Sequence, residues 1–460
     1  MALKTVLLLV AFVAACGGAV FVPLVGVVAY ILDYHVSPTT QWWGESLGQF
    51  GVRFSLALGV TTALGTVLAR SKLRYGPALF SRHEVLILPL LGWAWILTFL
   101  HPVQASLFVG QDVPALKLTK IVLFAMILTH VVTDLRSVNW VLWTFVAGVL
   151  FVAYQANTAP SWMFTGDGRL DNIGGPDFRE ANGLGAHLGA CLAIIGIQFL
   201  RSRWVGKFVC TVAGVLSVNA IILTRSRGAL VGLAIGAVAA VLAAPKRGRR
   251  AIIAGLVIVA VGAFALTDPG FWERAETVTA AEGERDFSAQ SRIDIWVASL
   301  SMLAHHPEGV GPGNFQARIG DYTSEHPKRD AHNAYVLCWG ELGVPGIALF
   351  MLILLSAFKS LAATRSPPES SLASSAGGLH LVSYAFIVGL TVFLGSCLTG
   401  SRLYAEGLWW FIVMPLCLSR ASANIQEEAR AARPPTAVVA PPARGRPRGN
   451  TTSGGTAERR

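Results

Sequence analysis

Charge is scarce along this chain. Only 14% of its 460 residues are Asp, Glu, Lys or Arg, against roughly 25% in soluble globular proteins. No Asp-x-Asp pair occurs, and no His, Cys and carboxylate cluster shows metal-ligand spacing, so no catalytic metal and no cofactor are expected. The six cysteines, Cys16, Cys191, Cys210, Cys338, Cys397 and Cys417, sit in or beside apolar runs. That placement suits small buried hydrophobes and excludes a disulfide framework or a zinc knuckle.

Hydrophobic residues make up 53% of the chain and mean hydropathy is +0.55. They fall in runs of roughly 17–22, long enough to cross about 30 Å of hydrocarbon at about 1.5 Å per residue. A barrel would need short alternating strands. The expected class is therefore all-α, a polytopic integral membrane protein. The spans read as 4–32, 51–69, 84–101, 117–133, 138–156, 182–200, 205–223, 228–244, 251–267, 343–360, 380–399 and 404–419, twelve in all. The first is long and holds Gly17, Gly18 and Pro23, so it reads as one span or as two short helices. Val13-Ala14-Ala15-Cys16 loosely resembles a lipoprotein cleavage box, but the apolar run continues to Ile31, which favours a membrane segment.

The net charge of +11 marks loops of one side and does not call for nucleic acid. Arg70, Lys72, Arg74 and Arg82, then Arg201 and Arg203, then Lys246, Arg247, Arg249 and Arg250, then Lys359 and Arg365 all fall on one side by span counting. The positive-inside rule makes that side cytoplasmic. Twelve spans place both termini there, and 421–460, rich in Pro, Ala, Gly and Arg, reads as a disordered basic tail. The rest, 1–420, reads as a single membrane domain.

The opposite, periplasmic side receives one large polar segment, 268–332, and several arginines that the same rule disfavours: Arg179, Arg225, Arg227, Arg292 and Arg402. Three of these regions lie near expected helix starts. Asn182 opens a span after Arg179, Thr224-Arg225-Ser226-Arg227 turns into another, and Ser291-x-x-Asp294 reads as a capping box with Arg292 in the first turn. The amphipathic helix 291–306 behind it carries Ile293, Trp296, Val297, Leu300 and Leu303 on one face, suited to the membrane surface or the bundle. Helix N-termini with arginine forks suit a diphosphate. A single arginine of this kind is as readily a snorkelling or ion-paired side chain; a cluster repels itself without an anion. His332, where the polar segment re-enters the membrane, is the acid–base candidate, with an ordinary pKa near 6.5. The alternative is that it caps the following helix. Gly309, Gly311 and Gly313 read as a tight turn, since no Lys-Ser/Thr follows them.

Taken in order, Thr224-Arg225-Ser226-Arg227-Gly228-Ala229, Ser291-Arg292-x-x-x-Trp296, Pro307-x-Gly309-x-Gly311-x-Gly313-x-Phe315, His332-Asn333-x-Tyr335 and Glu341-x-Gly343 resemble the O-antigen ligase/polymerase superfamily. The likeness is strongest over about 160–420. The early Pro23 and Asp33-Tyr34-His35 resemble the O-glycosylation ligases associated with exosortase systems. The resemblance implies a GT-C-like, metal-independent, inverting glycosyltransferase of the bacterial inner membrane. It would move a glycan from undecaprenyl diphosphate to a lipid, glycan or protein acceptor at the periplasmic face. Arg227 and Arg292 would bind the diphosphate and His332 would act as base. Arg225, Arg179, Asn182, Arg402, Asn333 and Tyr335 would line the substrate site. Partners are then the lipid-linked donor, the acceptor and membrane lipids. A polymerase would use the same site. A transporter would instead want ionisable groups deep in the spans and paired broken helices; Lys120 alone stands out, near an outer end. A flippase of lipid-linked sugars is a weaker alternative.

Overall fold

The computed structural model describes residues 3–45, 47, 51, 53–71, 73, 81–103, 112–166, 168–246, 248–267, 287–365 and 373–431. Lys72, Arg74, Arg247, residues 268–286 and the tail beyond 431 therefore lie outside the described residues. In chain order the helices are α1 (Leu3–Phe21), α2 (Pro23–Val36), α3 (Phe54–Leu68), α4 (Arg82–Leu100), α5 (Pro114–Val131), α6 (Leu135–Asn157) and α7 (Ala181–Arg201). Then follow α8 (Trp204–Thr224), α9 (Arg227–Ala243), α10 (Arg249–Leu266), α11 (Phe287–His305), the single turn α12 (Phe315–Arg318), α13 (Ala334–Arg365), α14 (Ala373–Ser396) and α15 (Glu406–Ala431). Among the described residues nine helices are long and apolar enough to cross a membrane, and Phe54–Leu68 and Arg227–Ala243 are shorter apolar helices. The chain is a polytopic all-helical membrane protein.

The first apolar run is two helices. Proline lacks the N–H that would continue α1 and is preorganised for a helix start, so the chain breaks at Val22 and Pro23 begins α2. The two helices run antiparallel: Lys4 stands 5.3 Å over the Trp42 ring, and the Thr5 hydroxyl bonds the Trp43 carbonyl. Gln155 Nε2 donates to Gln41 Oε1 at 2.6 Å, which ties this end to the far end of α6. The N-terminus thus sits at the end opposite the basic loops, which corrects the expectation of both termini on one side. Glycine lets α3 close onto α1, because a Cβ at Gly65 would lie 2.0 Å from the Ala19 carbonyl oxygen.

The basic loops do gather. The Arg365 guanidinium bonds the Ala243 carbonyl, and a Cβ at Gly378 would meet Arg201 Nη2 at 3.5 Å. Nearby, Glu84 accepts from Arg420 Nη2 at 2.9 Å and from the Thr129 hydroxyl at 2.6 Å, clasping α4, α5 and α15. The helix α15 is the centre of the bundle, with Trp409, Trp410 and Phe411 fully buried. It runs on to Ala431, and Asn424 Nδ2 donates to the Thr133 carbonyl at 2.8 Å. The tail therefore starts later than the expected 421, because this last stretch packs against the end of α5. Helix α9 lies against α14 through small residues: Cβ atoms at Gly232 and Gly236 would strike Ser396 and Val392, the close backbone approach common between membrane helices.

Candidate functional site

At the end opposite the basic loops, the starts of α7, α9, α13 and α15 meet the loop 157–181 and the turn 397–405. Ser226 caps α9: its Oγ accepts from the Ala229 N–H at 3.2 Å and donates to Asn182 Oδ1 at 2.7 Å. The same Asn182 oxygen accepts from Arg169 Nη2 at 3.0 Å. Asn182 thus ties the loop to the α8–α9 turn. Arg225 ends α8 in the left-handed region at φ 45, and its guanidinium lies on Gly168, where a Cβ would come within 2.9 Å of Nη1. Arg227 is the first residue of α9 and half-buried, whereas the Arg179 side chain is exposed.

Arg402 is the most enclosed of these arginines, at 9% exposure. It presses on the start of α7, where a Cβ at Gly183 would lie 2.8 Å from Nη1, and its Nη2 donates to Glu180 Oε2 at 2.9 Å. Its Nε and the neighbouring Ser401 Oγ are buried with no hydrogen-bond partner among the described residues. Buried donors left unmade are costly, and these two face the same end of the bundle.

His332 stands on this end, one residue before the Asn333 cap. Its backbone is left-handed at φ 46, and its side chain remains 36% exposed. Nδ1 is 3.5 Å from Asp330 Oδ2. Burial lowers the imidazole pKa below its ordinary value; the Asp330 and Glu180 charges oppose the shift, and Arg292 and Arg402 reinforce it. The charges that act on this ring thus include Arg292 and Arg402, drawn from α11 and from the 397–405 turn. Helix capping belongs to Asn333, whose Oδ1 accepts from the N–H groups of Tyr335 at 2.9 Å and Val336 at 3.2 Å. Tyr335 turns inward and donates its hydroxyl to the Leu394 carbonyl at 3.0 Å. Both residues therefore fasten α13 rather than face the opening.

Arg292 lies on α11, but not in its first turn. The helix already includes Phe287, and Ser291 is buried inside it, so the expected capping box does not form. The helix is apolar on two sides. Ile295, Ala298, Ser299 and Met302 are buried against the bundle, and Val297 and Leu300 stay exposed. Trp296 Nε1 donates to the Ala331 carbonyl at 2.8 Å and Trp339 Nε1 to Ser299 Oγ at 3.2 Å, which holds α11 beside His332. The helix ends at His305 as expected.

The glycine-rich segment is the turn that the sequence suggests, and its partner is the Glu341-x-Gly343 pair. Gly309, Gly311 and Gly313 all have positive φ. Val310 N–H donates to the Gly340 carbonyl and Gly311 N–H to the Glu341 carbonyl, each at 2.9 Å. The Glu341 carboxylate accepts from the Tyr404 hydroxyl at 2.6 Å, and the buried phenol of Tyr404 is pushed well above its ordinary pKa by burial and by that carboxylate. α13 breaks at Gly343, with φ 65 and ψ −165.

Sequence reading missed a second network. Asp177 pairs with Lys117 Nζ at 3.0 Å and accepts from the Tyr34 hydroxyl and the Glu406 N–H, each at 2.9 Å. Tyr30 donates to Glu406 at 2.9 Å, and His35 Nε2 lies 3.0 Å from His187 Nε2. Lys117, not Lys120, reaches the interior; Lys120 pairs with Asp112 at 2.6 Å near the surface. These partners are far apart in sequence and carry no local signal.

Residues 212–351 match the O-antigen ligase family. The match covers less than a third of the chain. That match supports a place in the O-antigen ligase/polymerase superfamily and a glycosyl-transferring activity in the broad sense. No curated protein matches the chain. The matched stretch contains Arg225, Arg227, Arg292 and His332; Arg402, Glu180 and Asn182 lie outside it, brought to it only by folding.

Proposed function

We propose that this chain is a glycosyltransferase of the ligase type, acting at the periplasmic face of the bacterial inner membrane. The donor is a glycan on undecaprenyl diphosphate and the acceptor is a hydroxyl of a lipid, glycan or protein. The observation that carries this reading is His332, part-exposed within the stretch that matches the O-antigen ligase family, with α11, the helix of Arg292, bonded beside it through Trp296 and the Ala331 carbonyl. Neutral His332 takes the acceptor hydroxyl proton. The acceptor oxygen attacks the anomeric carbon from the face opposite the diphosphate, the carbon–oxygen bond to the diphosphate breaks, and the anomeric configuration inverts. The electron pair leaves with the diphosphate, where Arg402 and Arg292, with Arg227 at the start of α9, stabilise the growing charge. Arginine charge at this position supplies what a metal would otherwise supply, so the transfer is metal-independent.

The test is transfer by the purified chain from a synthetic undecaprenyl-diphosphate glycan with chelator present, over a panel of hydroxyl acceptors. Release of undecaprenyl diphosphate with one glycan added per acceptor is expected. A ladder of lengthening glycan on the lipid would make the chain a polymerase. Binding of donor without release under any acceptor would overturn transfer altogether.

A further inference from the structure

Beyond the arginine–histidine site, one group of side chains among the described residues has the composition of a metal centre. Asp294 on α11 and Glu325 and His326 in the loop before α13 each offer one ligand atom, and these atoms lie within 4.8 Å of one another. We propose that Asp294, Glu325 and His326 bind one divalent cation of the zinc class, which clamps the loop 319–333 onto α11.

Three observations support it. His326 Nε2 is 3.2 Å from Asp294 Oδ2. That is the long edge of a hydrogen bond; two ligands on one tetrahedral zinc, each at about 2.0–2.1 Å, stand roughly 3.3 Å apart, so the pair could share a cation with almost no movement. The second observation lies outside the cluster: Gln290 Nε2 donates to Asp294 Oδ1 at 2.9 Å, the kind of outer hydrogen bond that orients a ligating carboxylate. The third is charge. Two carboxylates beside one imidazole repel each other, and a divalent cation neutralises both. His326 is held at 5% exposure while Glu325 is exposed, so the glutamate is free to swing in and close the site. One nitrogen and two carboxylate oxygens suit zinc; calcium and magnesium take more ligands, nearly all oxygen.

The consequence is positional. Trp296 to the Ala331 carbonyl already fastens the loop at its far end. The cation would fasten the near end, two residues past Arg292 and six before His332, and so keep those residues in register. Its role is not in the chemistry, and its binding test does not depend on the transferase reading.

The experiment uses the tag-free full chain in detergent, stripped with chelator and titrated with Zn²⁺ by calorimetry, with bound metal counted after gel filtration. One Zn²⁺ per chain and a rise in melting temperature are expected, with little response to Mg²⁺. Asp294→Asn and His326→Gln should each weaken Zn²⁺ affinity by at least about tenfold, and Gln290→Ala by about tenfold, the low end for an outer-shell partner. If either buried-side variant fails to fold, the exposed Glu325→Gln decides, with the same expected direction. No binding at one equivalent, or an affinity unchanged in Asp294→Asn and Glu325→Gln, would overturn the proposal.

Discussion

His332 and Asp330 meet twice: Asp330 Oδ2 accepts the His332 backbone N–H at 3.2 Å and lies 3.5 Å from the ring Nδ1. One carboxylate thus holds the left-handed backbone by a hydrogen bond and stands beside the imidazole Nδ1; in the proposed mechanism Nε2 takes the substrate proton. Non-glycine residues in this conformation cost about 1–3 kcal/mol and cluster at functional sites.

In the proposed mechanism capping and chemistry are separable, because they fall on the adjacent residues Asn333 and His332. His332→Ala should abolish glycosyl transfer, a loss of about 10²–10⁴-fold for a general base, while the melting temperature changes little. Asn333→Ala should do the reverse, costing about 0.5–2 kcal/mol of stability through the lost cap. Transfer rates and thermal melts on both variants check this. A fully active His332→Asn would leave the arginines as the only chemistry in the site.

The acid limb of transfer should lie below the ordinary histidine value of about 6.5, because burial lowers the His332 pKa. The base is then neutral, and active, over more of the mildly acidic range, and activity falls as pH drops through the lowered value. Asp330→Asn removes a charge that raises the pKa, so its acid limb should move further down. The pH profile of kcat/KM, which reports the free enzyme, is the measurement. The stability sign runs the same way: this group favours the folded state above about 6.5 and loses that contribution as pH falls toward the folded value.

Gly343 holds a backbone conformation that is essentially glycine-only, and a Cβ there would lie 2.2 Å from the Glu308 carbonyl carbon. Gly343→Ala should therefore detach the 307–313 turn and lower the melting temperature and activity together. Gly92→Ala in α4, where a Cβ meets nothing within 4 Å, should be tolerated and serves as the control.

At the basic end, Glu84 is fully buried beside Arg420. Truncating one partner of a buried ion pair strands the other charge, at a cost of about 3–5 kcal/mol. Arg420→Ala should be strongly destabilising, and Glu84→Gln combined with Arg420→Met should recover much of the loss. Thermal unfolding in detergent is the readout, and additivity of the two single variants would refute the coupling.

Much of this protein is legible from local pattern. Apolar runs of membrane length, Pro23 within the first of them, the positive φ at Gly309, Gly311 and Gly313, and the helix end at His305 follow from short-range chemistry: hydrocarbon thickness, a missing N–H, a missing Cβ. The ordered motifs likewise pointed to the family whose model matches 212–351. What only the tertiary structure decided depends on partners distant in the chain. The packing of α3 on α1 rests on Gly65, which admits the Ala19 carbonyl. The inward anchoring of Tyr335 rests on a carbonyl at Leu394. Arg402 joins Glu180 across 222 positions and Asp177 joins Lys117 across 60. The missing capping box at Ser291 shows the same limit, since a Ser-x-x-Asp pattern caps only where the chain enters a helix, and α11 already begins at Phe287, with Ser291, Ile295 and Met302 packed against the bundle. Hydropathy fixes which segments enter the membrane. It does not fix which buried polar group meets which, because the cost of leaving any one unpaired is settled only when all the helices are in place.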